Sequence, residues 1–178
     1  MKNLELAYLA VAYGMAGIMF YTSRHSTFPT LSHVAISQKL TRQVFFWGLT
    51  TSGLLFAILM YGWAIPHFSL GVGVKVLVGL LVACQVLTGL FPIEDKRLHR
   101  MHLIFGSGLG LCMFILLIVL ALSPTIHQVA RLADGLLALC MVALFTTARW
   151  VKNGNYLRYE KLFFGFWHLA IFTIVYVG

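Results

Sequence analysis

Residues Met101–Leu122, MHLIFGSGLGLCMFILLIVLAL, contain no lysine, arginine, aspartate or glutamate. A helix crosses the hydrocarbon of a bilayer with about 20 such residues, at about 1.5 Å each. Outward from this stretch, largely apolar runs recur at Leu4–Thr22, Val44–Ile65, Ser69–Phe91, Ile126–Ala148 and Leu162–Val177. The intervening breaks carry charge or turn chemistry: Ser23–Arg42, Pro66–His67, Pro92–Arg100, Ser123–Pro124 and Arg149–Lys161. The whole chain is 60% hydrophobic and 10% charged, where a soluble domain carries roughly a quarter charged residues. The expected fold is therefore all-α: one integral membrane bundle of six transmembrane helices spanning residues 1–178. The second and fourth breaks are short enough to make tight helical hairpins.

The first stretch resembles a signal peptide only superficially. Lys2 is a meagre basic region, and only about six apolar residues precede Ala10-Val11-Ala12, fewer than the roughly 7–15 of a cleavable leader. It is expected to stay as a true helix.

Basic residues set the orientation. Arg24, Lys39, Arg42, Lys96, Arg97, Arg100, Arg149, Lys152, Arg158 and Lys161, ten of the thirteen, fall in the first, third and fifth breaks. Loops rich in lysine and arginine stay cytoplasmic, so those breaks face inward and both termini lie outside. The net charge of +8 then reads as topology and attraction to anionic headgroups. A nucleic-acid surface needs a soluble basic face, which this pattern excludes. Cys84, Cys112 and Cys140 stand singly in three different stretches, without a disulfide pattern, as small core residues.

Ionisable residues inside a bilayer are costly and nominate sites. One group lies at the cytoplasmic end, where Pro92 ends the third helix. Asp95, His99 and His102 follow at spacings of four and three, so a helix beginning near Asp95 brings all three to one face. An ordinary acidic helix start accounts for Glu94 and its basic neighbours. It does not account for His102, which already sits against Ile104 and Phe105. His99 and His102 form only a weak metal pattern, since His-x-x-His supplies two of the four ligands a zinc site needs. A second group, Glu5, Lys75, Arg131 and Asp134, belongs to the outer half. There Arg131 and Asp134 can pair along one face, and Lys75 is expected to pair with Asp134 or Glu5. These residues also offer a polar pocket for a headgroup. His168, mid-way along the sixth stretch, is expected to hydrogen-bond a neighbouring helix, with Gln85 as a partner. It is also a weak haem candidate, lacking a second axial histidine at its depth. Gly106 and Gly110, one turn apart, mark a helix-packing surface.

Gly89-Leu90-Phe91-Pro92, followed by Asp95 and His99-x-x-His102 opening an apolar helix, resembles a bacterial membrane family. That family is known only as domain of unknown function nine hundred and ninety-eight, with its DRAM-like relatives. Phe28-Pro29-Thr30-Leu31-Ser32, ahead of Val44-Phe45-Phe46, is similar to the family's first long loop. The acidic residue recurrent in that loop is absent, Gln38 and Lys39 occupying the region. The resemblance implies five or six helices, no established activity, and a tilt towards lipid handling.

Function is expected to be the binding or handling of a lipid-like ligand by an integral protein of the bacterial inner (plasma) membrane. Membrane lipids are the expected partners, with other membrane subunits as a further option and nucleic acid excluded. The alternatives are a haem-carrying electron-transfer subunit and a non-catalytic packing partner. No cofactor is expected. The linear sequence displays no nucleophile–base pair, Walker loop or metal quartet, so the question of an enzyme stays open.

Overall fold

The computed structural model describes residues 2–22, 30–91, 96–150 and 156–178. Among these the fold is wholly helical. The helices are α1 (Lys2–Thr22), α2 (Leu31–Ser37), α3 (Lys39–His67), α4 (Val72–Leu90), α5 (Lys96–Leu122), α6 (Gln128–Trp150) and α7 (Tyr156–Val177). Five of them, α3 to α7, are long and apolar enough to cross a membrane; α1 contributes a shorter apolar run, Leu6–Met15.

Helices consecutive along the chain pack side by side, α3 on α4, α4 on α5, α5 on α6 and α6 on α7, while α1 lies along α3. Side chains of α1 and α7 also meet: Tyr8 stacks on His168 at 5.8 Å between ring centroids. At the centre Phe56 touches both Tyr8 (5.8 Å) and Trp167 (5.5 Å, edge-on), joining α1, α3 and α7. Fully buried Leu116, Leu117, Leu120 and Met141 continue this core through α5 and α6. The outward faces are apolar as well. On α6, Leu132, Leu136 and Leu139 are each about two-thirds exposed, as on a helix whose solvent is lipid.

Two helix boundaries have clear chemical causes. Pro66 has no N–H and its ring crowds the carbonyl four residues back, which breaks the regular ladder. The chain answers with a π-helical turn over Met60–Ala64 and carries the helix on to His67, past the break expected at Pro66. Ser69, with φ of 50°, makes the reversal into α4. Where α1 meets α3, the Met15 side chain fills the space a Cβ would need at Gly48. On α5 the tight glycine is Gly108, whose added Cβ would stand 3.0 Å from Cys84 Sγ. Gly110 would meet only Phe163, and Gly106 faces open space, so the expected Gly106–Gly110 surface is displaced to Gly108.

The first long break is not irregular throughout. Thr30, extended at φ −140°, caps α2 by accepting from the His33 amide, and Gln38 alone separates α2 from α3. The hydroxyl of fully buried Thr41 lies 2.8–3.1 Å from the carbonyls of Gln38, Ala35 and Val34. It thereby ties the last turn of α2 to the first turn of α3, where carbonyls would otherwise lack partners.

Candidate functional site

The polar residues of the expected inner end converge around α2. α4 ends at Leu90, and the Thr88 carbonyl would ordinarily accept from the amide four residues on, but that residue is Pro92. His102 takes over: its Nδ1 stands 2.8 Å from the Phe91 carbonyl and 3.1 Å from that of Thr88. Carbonyl oxygens only accept, so Nδ1 carries the proton of the neutral ring and Nε2 is left as an acceptor. The Ser32 hydroxyl, 2.7 Å away on α2, donates to that Nε2. His102 is buried, and both of its ring nitrogens have protein partners. Phe91 and Phe105 stack at 5.5 Å beside it.

A second tether runs from α7. Glu160 Oε2 accepts the Leu31 amide at 2.7 Å, satisfying one of the orphan donors at the start of α2. His33, on the next position after Ser32, is 2.6 Å from Thr30 Oγ1. Partial burial and the neighbouring His99 hold its imidazole below the ordinary value of 6.5. His99 also lies near His102, and its buried Nδ1 has no hydrogen-bond partner. Three imidazoles thus neighbour one another, yet no three His, Cys, Asp or Glu side chains among the described residues converge as a metal-ligand set. Lys161 lies with Nζ 4.8 Å over the Phe20 ring, bringing α1 to the same end. Asp95, expected to share the face of His99 and His102, lies outside the described residues.

The outer residues do not assemble in the way the sequence leads one to expect. Asp134 is fully buried; its Oδ1 accepts from the Thr173 hydroxyl at 2.9 Å and its Oδ2 takes no hydrogen bond. Arg131, half-buried, donates through Nε to the Ala121 carbonyl at 3.0 Å, so the expected Arg131–Asp134 pair gives way to two separate contacts. Lys75 is exposed on α4, off the buried line of Val74, Val78, Leu81 and Gln85, and its carbonyl accepts from Tyr61. The Lys75–Asp134 pair is therefore corrected: α4 packs between α3 and α5, whereas Asp134 turns towards α7. The side chain of Glu5, the other expected partner, lies outside the described residues. A shallow open groove of about 230 Å³ exists here, lined by Ala121, Gln128, Arg131 and Leu132.

His168 and Gln85 are likewise not partners. Gln85 Nε2 donates to the Leu49 carbonyl (2.9 Å) and Ser52 Oγ (2.8 Å) on α3. His168 Nδ1 donates to the Phe164 carbonyl of its own helix at 2.6 Å, with Tyr8 and Tyr13 against the ring.

Sequence reading nominated His99 and His102 and passed over Ser32, Thr41 and Glu160. Signals exist for Glu160 and for the start of α2, which carries Ser32. The chain has only five acidic residues, so Glu160 called for an account, and Thr30 at a cap position three before His33 marks a helix start. No protein-family model, curated protein or solved structure matches this chain.

Proposed function

We propose that the protein is a six-span membrane protein whose cytoplasmic end holds a lipid-like amphiphile with an anionic headgroup. One observation carries the reading: Ser32 and His33 of α2, His99 and His102 of α5, and Glu160 of α7 gather at one end of an otherwise apolar bundle. Arg97, Arg100, Arg158 and Lys161 belong to the same two helix starts, supplying the positive field an anionic headgroup requires. The apolar outer faces of the neighbouring helices suit the tails. α1 serves as the sixth span, since 21 helical residues reach ~31 Å at 1.5 Å per residue. With the basic breaks inside, both termini lie outside. The resemblance to the family of unknown function and its DRAM-like relatives points to a bacterial plasma membrane and the same ligand class.

Native mass spectrometry of the detergent-purified protein is expected to show a tightly held phospholipid-sized adduct. His99→Ala leaves the Ser32–His102 contact in place and is expected to weaken retention at least about tenfold, the worth of one charged hydrogen bond. Equal retention by a folded His99→Ala protein would make the cluster purely structural. For orientation, single cysteines at Asn153 and His67 are expected to be protected from and reached by an impermeant reagent, respectively. The reverse pattern inverts the bundle.

A further inference from the structure

Building on the lipid-binding reading, we infer that Ser32 and His102 form a nucleophile–base pair that transfers the acyl group of a lipid ester. The Ser32 hydroxyl already donates to His102 Nε2 at 2.7 Å, within the reach proton abstraction needs. The opposite nitrogen, Nδ1, is fixed by two main-chain carbonyls, which set both the tautomer and the ring plane. Carbonyls thus play the orienting part that a carboxylate plays in serine hydrolases. Other serines donate within their own helix, as exposed Ser37 does to the Val34 carbonyl and buried Ser52 to that of Leu49. Ser32 instead reaches across to another helix and to a proton acceptor. Half-buried rather than enclosed, it stays reachable from the bundle's end. His99, near His102 and with an uncommitted Nδ1, gives the centre one further imidazole.

The step balances as follows. Ser32 Oγ bonds to the ester carbonyl carbon as its proton passes to His102 Nε2. The tetrahedral adduct then collapses, the C–O bond of the ester breaks, and the departing alcohol oxygen takes the proton from Nε2. Acyl-Ser32 is resolved by water, giving a fatty acid, or by a second alcohol, giving a new ester. Neutral carbonyls stabilise the imidazolium less than a carboxylate would, so turnover is expected to be slow and to favour activated esters.

The full-length protein in mild detergent, exposed to an alkyl fluorophosphonate, is expected to carry the phosphonyl adduct on the peptide containing Ser32. Ser32→Ala abolishes that adduct. His102→Gln keeps a polar side chain between α2 and α4 but accepts no proton, and is expected to slow labelling about 100-fold or more. Should His102→Gln release α2, Ser32→Cys supplies an independent readout. With His102 in place, its iodoacetamide alkylation should persist below the usual thiol range near pH 8.5, and His33→Asn should leave that profile unchanged; a profile at the usual range overturns the pair. A folded wild-type protein without an adduct above the Ser32→Ala level overturns the pair, as does wild-type labelling in His102→Gln. Lipid retained without an adduct removes the chemistry and leaves the binding reading standing.

Discussion

The two ends of the bundle deal with polar groups in opposite ways. At the Asp134 end the described charges are settled one by one: Asp134 on Thr173, Arg131 on the Ala121 carbonyl, Lys75 on the exposed face of α4. At the α2–α5 end, side chains from α2, α5 and α7 meet and depend on one another, and Ser32 and His102 bond across helices to each other. Isolated settlements stabilise helices one at a time. A mutually dependent cluster ties a short helix in place and leaves chemistry available at a shared point, which is the ground of the proposed function.

The contrast breaks most visibly at Glu160. Removing its carboxylate strands the Leu31 amide and frees the start of α2, so Glu160→Ala is expected to cost about 1–3 kcal/mol, while Glu160→Gln, which keeps an acceptor, costs less. Thermal unfolding in detergent measures both. Equal losses would mean that the hydrogen bond to α2 contributes nothing.

At the Asp134 end the expected effects are smaller and independent. Asp134→Ala removes one hydrogen bond, about 1 kcal/mol, and Lys75→Met changes stability within about 0.5 kcal/mol. The double variant should be additive within roughly 0.5 kcal/mol, because the two residues share no contact. A larger coupling would restore an ion pair between them and erase the contrast.

The smallest effect concerns His33. Its folded value lies below 6.5, so between the two values the unfolded chain binds more protons and stability rises with pH. The contribution is present above pH 6.5 and is lost as pH falls through the folded value. Melting temperatures between pH 7.5 and 5.5 should therefore drop less for His33→Asn than for the wild type; parallel curves would remove His33 from the cluster's electrostatics.

The long helices were legible because composition alone dictates them. Their ends were not: α5 and α7 begin at Lys96 and Tyr156, ahead of the apolar stretches at Met101 and Leu162, since long basic side chains extend a helix past the hydrocarbon edge. α2 was illegible for another reason. Seven residues do not hold a helix by propensity, and this one is held by Thr41, Glu160 and His102. Half of the site was readable for the same cause. His99 and His102 stand out as polar residues at an apolar boundary, whereas the roles of Ser32 and Glu160 are set by contacts 70 and 129 residues distant in sequence.

The central claim, that the lipid-like ligand sits at the α2–α5 end, is tested most directly by photocrosslinking. A phospholipid carrying a diazirine near its headgroup, added to the purified protein and irradiated, is expected to leave adducts on peptides covering Leu31–Ser37 and the first turns of α5. Competition by unlabelled lipid should remove them. Adducts confined to the exposed leucines of α6, or spread evenly over the outer faces, would show only annular lipid and contradict the account.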